Sequence, residues 1–297
     1  MLKSYPCFLY IKWKRAKNVD KGGFAVIIES NKGGNMDKKI VFFDIDGTLL
    51  DEKTGLVPKS CVEAIHKAQE NGHIVVVNSG RPSSTINPQV AAIGFDGYIC
   101  GCGTYIEYKG ETIFHTTLEE EVRREIVEKI FECNMQTAVE GTKGSFYSDN
   151  GTHPLYIELY EANRELGFPI EFYDLDNIPE FDKMAAFYDA DGDDKTFREF
   201  MKGKFEIIER DKGFIELVPL GYSKATGIQF LIDYLGMNLE QCISIGDSPN
   251  DLPMLDYTKE SVAMGNSNPI LFKKVTYITT DVDKDGIANA LKHFGLV

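Results

Sequence analysis

The stretch Lys39-Ile-Val-Phe-Phe-Asp-Ile-Asp-Gly-Thr-Leu-Leu50 constrains this chain more than any other. Four consecutive apolar residues, Ile40 to Phe43, read as a buried strand. The run ends on two carboxylates one residue apart, Asp44 and Asp46. Gly47, which permits a sharp turn, and Thr48 follow. Two like charges about 4 Å apart repel by about 1 kcal/mol in water and about 4 kcal/mol at an effective dielectric of about 20. An aspartate pair at the end of a buried strand therefore calls for a metal, a shared proton or a cationic partner. The competing reading is a plain turn, since Asp-Gly is a common turn dipeptide.

From Met36 onward, strand and helix signals alternate. A helix is predicted over 58–69, stopped by Asn71-Gly72. A second apolar strand over 73–77 ends in Asn78-Ser79-Gly80-Arg81-Pro82. Residues 84–93 are weakly helical, with Pro88 disturbing the pattern. Short strands are expected at 98–100, 104–108 and 111–115, with Lys109-Gly110 as a turn. The character changes near Thr117. A charged amphipathic helix spans 118–132, and its acidic run Glu119 to Glu121 suits a helix N-terminus. Strands at 136–140, 144–148, 184–188, 205–209 and 214–218 then mix with helices at 155–166 and 194–202. The alternation resumes with a helix over 223–235 ended by Gly236, a strand over 242–246, a short helix over 250–255, strands at 261–264 and 275–278, and a helix over 285–294. This order predicts an α/β fold: a Rossmann-like parallel-sheet core, residues 36–117 and 220–297, interrupted by an inserted α+β domain, residues 118–219.

Residues 1–35 differ from the rest, with seven lysines and arginines against two carboxylates. The apolar run 8–11 is short and is broken by Lys12 and Lys14, which argues against a signal peptide. The expectation is a leader outside the core domain. The alternative is an edge hairpin pairing 8–13 with 24–29.

The 297 residues carry a net charge of −14 and are 43% hydrophobic. Apolar content suffices for a core. The charge disfavours partners such as nucleic acid or an anionic membrane surface. No apolar run reaches the length of a membrane span. The six cysteines, Cys7, Cys61, Cys100, Cys102, Cys133 and Cys242, have no metal-ligand spacing and read as reduced core residues of a cytoplasmic protein.

Ligands of open parallel sheets bind beyond the carboxyl ends of the strands. The predicted strand ends carry Asp44 and Asp46, then Ser79 and Gly80, then Gly246-Asp-Ser-Pro-Asn-Asp251. Lys224 opens the helix that re-enters the core. Four carboxylates together require a cation. Mg²⁺ takes hard oxygen ligands and favours a few carboxylates plus phosphate. Lys224 and the Ser79 hydroxyl suit phosphate oxygens, and backbone N–H groups near Gly47 and Gly80 can form an anion cradle. The set points to phosphoryl transfer, with Asp44 as nucleophile and Asp46 as general acid, then base.

Asp44-Ile-Asp-Gly-Thr-Leu, Ser79, Lys224 and Gly246-Asp-Ser-Pro-Asn-Asp251 resemble the four ordered motifs of the haloacid dehalogenase superfamily. The place and size of the insert resemble the Cof-type phosphatases with an α/β (type IIB) cap. The resemblance covers residues 37–297, including the closing segment from Asp283 to Leu291. It implies a small-molecule phosphate ester as substrate, a sugar phosphate or phosphorylated cofactor. It implies Mg²⁺ held by Asp44, the Asp46 backbone carbonyl and Asp247, with Asp251 as a ligand or orienter. Asn250 would place Lys224 or the phosphate. Asn78-Ser79-Gly80-Arg81 stands where Thr-Gly-Arg is commoner, and Cys102 stands where an Asn is common. Arg81 either orients the phosphate site or bridges locally.

Other signals carry less. Asp281-Val-Asp-Lys-Asp-Gly286 begins like a calcium loop, but its twelfth position is Lys292 rather than Glu. The run from Asp189 to Asp194 lacks the required glycine and reads as a turn. The five histidines show no metal spacing, and there is no Gly-x-Ser-x-Gly elbow. A phosphomutase would use the same Asp44, and so would a signalling protein that stores phosphate on it. Asp46 argues against storage, because a base beside an acyl phosphate hastens its hydrolysis.

Overall fold

The strand β2 (Ile40–Phe43) is fully buried, as its unbroken apolar run requires. The structure, a computed structural model, describes residues 38–297 and the backbone of β1 (Lys14–Arg15). The hairpin expected over 8–13 and 24–29 lies outside the described residues. The chain divides into two compact units, residues 116–217 and residues 38–115 with 218–297.

In the latter unit, β2 pairs in parallel with β3 (Ile74–Asn78) on one side and β13 (Cys242–Gly246) on the other. Beyond β3 lies β4 (Gly97–Cys100), and beyond β13 lie β14 (Glu260–Ala263) and β15 (Tyr277–Ile278), all parallel. β5 (Tyr105–Tyr108) and β6 (Glu111–Thr117) extend the β4 edge antiparallel, so the sheet is mixed. Their turn, Lys109-Gly110, has φ of 51° and 78°, the primed geometry a tight hairpin needs. The backbone of β1, which groups with the unit of residues 116–217, pairs with Thr116 and Thr117 at the end of β6.

Alternate residues of β2 serve opposite faces. Val41 and Phe43 pack with residues of α1 (Lys59–Glu70) and α8 (Gly286–His293). Ile40 and Phe42 pack with those of α6 (Lys224–Leu235) and α7 (Leu252–Leu255). Each such side chain contributes about 1.5–3 kcal/mol by leaving water. The weak helical signal over 84–93 resolves into a 3₁₀ turn, Ser83–Thr85, and α2 (Pro88–Ala91). Pro88 opens that helix, and the Asn87 side chain caps it.

The unit of residues 116–217 holds a six-stranded sheet in the order β11-β12-β10-β7-β8-β9. The strands are β7 (Gln136–Gly141), β8 (Gly144–Ser148), β9 (Ile170–Tyr173), β10 (Lys183–Phe187), β11 (Phe205–Asp211) and β12 (Phe214–Pro219). α3 (Glu120–Glu132), which begins on its acidic run, and α5 (Asp194–Met201) pack on Val139, Met184 and Ala186. α4 (Pro154–Glu165) packs on Ala138, Tyr147 and Phe187 of the other face. Lys183 shares that face by period two. Its ammonium lies 3.0 Å from Glu140 Oε2 and also bonds Glu216. β9 carries no clear sequence signal: it is an edge strand, Glu171 and Phe172 are exposed, and only Tyr173 is buried.

Candidate active site

Three neighbouring parallel strands bring the chemistry to one edge. The register sets Phe43 beside Val77 and Ile245, so Asp44, Asn78 and the Asp247 loop leave the sheet side by side. Asp44 N–H still donates to Ile245 C=O at 3.0 Å, which seats its side chain at the sheet edge. The chain then turns at Gly47, with φ of +78°. A Cβ there would meet Asp247 Oδ2 at 2.4 Å, so only glycine lets the Asp247 carboxylate approach the turn. Thr48 Oγ1 donates to Asp247 Oδ1 at 3.1 Å.

Lys224 is not a solvated helix lysine. It is the first residue of α6, behind the Ser223–Thr226 capping box, and is about 1% exposed. Its ammonium donates to Asp44 Oδ1 and Asp251 Oδ1, each at 2.6 Å. The 3₁₀ turn Gly101–Gly103 allows α6 to come this close: Gly103 has φ of +93°, and a Cβ there would sit 2.7 Å from Ser223 C=O. Asn78, fully buried, donates from Nδ2 to the Lys224 carbonyl at 3.0 Å. Asp251 accepts further bonds at Oδ2 from the N–H groups of Asp247 and Ser248, at 3.0 and 3.1 Å.

Ser79 is buried, and its Oγ accepts from Arg81 N–H at 3.2 Å, with Gly80 between them. The Arg81 guanidinium grips Asp46 with two bonds, Nε to Oδ2 at 2.7 Å and Nη2 to Oδ1 at 2.8 Å. Of the two readings open for Arg81, the structure shows the local bridge, made to Asp46. Asn250 Oδ1 accepts from Ser248 Oγ, while Lys224 is held by Asp251. Asn266 has no sequence signal, yet it ties two loops together. Its Nδ2 donates to Gly47 C=O at 2.8 Å, and its Oδ1 accepts from Val282 N–H at 2.8 Å. Asn78 and Asn266 are thus contributors to which sequence reasoning gave no role, and Thr48, read there as a turn residue, also holds Asp247.

Burial first, then the charge of Asp251, push Asp44 well above the usual carboxylate range, with Lys224 opposing. Burial and Asp251 likewise push Asp247 up to about 7. For Lys224, burial pulls downward, but Asp251 and Asp44 outweigh it and hold the ammonium protonated. Three carboxylates around one lysine remain short of positive charge. Asp44, Asp247 and Asp251 can each offer an oxygen within 4.8 Å of the others. All are hard donors, so the set fits a divalent cation such as Mg²⁺. Asp251 already accepts three donors, which leaves Asp44 and Asp247 with the freer oxygens.

The five cysteines among the described residues are buried and unbridged. The run from Asp189 to Asp193 is a turn, closed by Gly192 N–H on Asp189 C=O, and the Asp193 side chain caps α5. No helix among the described residues is long and apolar enough to cross a membrane.

A family model of haloacid dehalogenase-like hydrolases matches residues 41–291. YkrA of Bacillus subtilis is 29% identical over 267 residues, spanning 88% of this chain and 100% of YkrA. The 5-amino-6-(5-phospho-D-ribitylamino)uracil phosphatase YcsE of the same organism is 26% identical, spanning 88% of this chain and 98% of that one. The solved structure of BT4131, a HAD subclass IIB sugar phosphatase, aligns with a TM-score of 0.74 at 26% identity. The alignment spans 88% of this chain and 100% of that one.

Proposed function

This chain belongs to the haloacid dehalogenase-like hydrolases and is a phosphoric monoester hydrolase; we propose that it works through an aspartyl-phosphate on Asp44. Its substrate in this reading is a sugar phosphate or a phosphorylated cofactor. The observation that carries the reading is the Asp44 carboxylate, buried at the end of β2 with one oxygen on Lys224 at 2.6 Å. The other oxygen attacks phosphorus, and the ester oxygen departs with a proton from Asp46. Asp46 then takes a proton from water, which attacks the acyl phosphate, releases inorganic phosphate and restores Asp44.

Asp44 and Asp247, with the Asp46 backbone carbonyl, would hold Mg²⁺, which neutralises charge on the phosphoryl oxygens when bound. Asp251 keeps Lys224 in place. The Ser79 hydroxyl, Gly80 N–H and Lys224 grip the phosphate, and Asn250, bonded to Ser248, shapes the same loop. Residues 118–219 act as the cap that selects the leaving group. The names of BT4131 and YcsE support a sugar or polyol phosphate.

The test is a panel of sugar phosphates and phosphorylated cofactors with Mg²⁺, reading inorganic phosphate, with Asp44→Asn as control. Phosphate release lost in Asp44→Asn is expected. Transfer of the phosphoryl group back to a sugar without free phosphate would show a mutase instead. Full activity in Asp44→Asn would sink the mechanism.

A further inference from the structure

The bidentate grip of Arg81 on Asp46 leaves room for chemistry. A carboxylate has about four lone-pair sites, and the guanidinium fork takes two. One lone pair on each oxygen stays available for a proton, a leaving-group oxygen or a water. Asp46 is otherwise a short side chain on a turn, about one-third exposed, with freedom to rotate.

Arg81 is itself anchored at several points. Its N–H donates to Ser79 Oγ at 3.2 Å, its carbonyl accepts from Gly101 N–H at 2.8 Å, and Nη1 reaches Thr85 C=O at 3.4 Å. The guanidinium therefore fixes Asp46 to the loop that carries Ser79 and Gly80. Nε and Nη2 are directed at Asp46, which favours orienting the carboxylate over binding the phosphate group.

We propose that Arg81 is a positioning residue, which holds the Asp46 carboxylate at the angle from which it exchanges protons with the leaving oxygen and then with water. This rests on the function proposed above. A misplacement of about 1 Å in such a group can cost about 100-fold in rate.

The test uses the full chain with Mg²⁺ and two aryl phosphates. Phenyl phosphate has a poor leaving group that needs an acid, whereas 2,4-dinitrophenyl phosphate has a good one that does not. The parameter is kcat/KM, which stops at departure of the phenol and so excludes hydrolysis of the acyl phosphate. Arg81→Met is expected to lose about 100-fold on phenyl phosphate and no more than about threefold on the dinitrophenyl ester. In an Asp46→Asn background the same change is expected to cost no more than about twofold on phenyl phosphate, because the two residues act as a unit. Arg81→Lys, a single-point cation, is expected to show the same ester dependence in milder form. It carries the test if Arg81→Met does not fold.

Equal losses on both esters, or additive losses with Asp46→Asn, would overturn the assignment while leaving the phosphatase reading intact. If the wild-type chain releases phosphate from neither ester nor the metabolite panel, the phosphatase reading fails and this assignment falls with it.

Discussion

Lys224 Nζ lies 2.6 Å from Asp44 Oδ1 across 180 residues of sequence. Both partners are buried, so neither charge is shared with bulk water. Removing the lysine would leave Asp44 and Asp251 together without a counter-ion. Lys224→Met should destabilise the protein by about 3–5 kcal/mol. It should also cut turnover by about 100- to 1,000-fold, the usual loss for one preorganised donor. Denaturant melts and steady-state kinetics check this. Turnover within tenfold of wild type would mean that Lys224 is structural only.

Asp247 sets a second expectation, in the opposite direction for stability. Its folded pKa is raised by burial, and next by Asp251, from 3.8 to about 7. The folded state therefore binds the proton more tightly than the unfolded chain. Through Asp247 alone, metal-free protein should lose up to about 4 kcal/mol of stability as pH rises from about 4 to about 7. Asp247→Asn should flatten that slope, raise the metal-free melting temperature at neutral pH, and abolish the further rise on adding Mg²⁺. Thermal melts between these pH values, with and without Mg²⁺, decide the matter. A metal-free Asp247→Asn protein that melts below wild type at neutral pH would contradict it.

The turn at Gly47 is a third place where one atom matters. Gly47→Ala adds a methyl 2.4 Å from Asp247 Oδ2 at a φ of +78°. The left-handed backbone alone costs about 1–2 kcal/mol for a non-glycine residue. Displacing Asp247 should also weaken divalent-metal binding. Mn²⁺ titration by calorimetry should show at least about tenfold weaker affinity, as for lost support of metal ligands. Unchanged affinity would place the metal away from Asp247.

In the other unit, Lys183 lies between Glu140 and Glu216, and its side chain is about 5% exposed. Lys183→Met leaves the buried Glu140 and the partly buried Glu216, which keeps Arg210 at 3.8 Å, and should cost about 3 kcal/mol. Replacing Glu140 and Glu216 by Gln in the same chain should recover most of that loss. Failure of the triple variant to melt above Lys183→Met would show that charge is not the cause.

What local pattern could say, it said well. The run Ile40 to Phe43, the helix ended by Gly236 and the acidic start of α3 are read from neighbours within one turn or one strand. They appear in the fold within a few residues of the expected bounds. β9 escaped because an exposed edge strand buries too little to show a period.

The alternation of buried strands and helices, and the aspartates standing where those strands end, are written in the order of residues along the chain. Local periodicity and turn chemistry suffice for both. Tertiary structure decided which groups meet: Lys224 with Asp44 across 180 residues, Arg81 with Asp46 across 35, and Asn266 with Gly47 across 219. Those pairings follow from strand order and register, which place distant segments side by side. No spacing along the chain encodes them, and burial then makes each pairing costly to break.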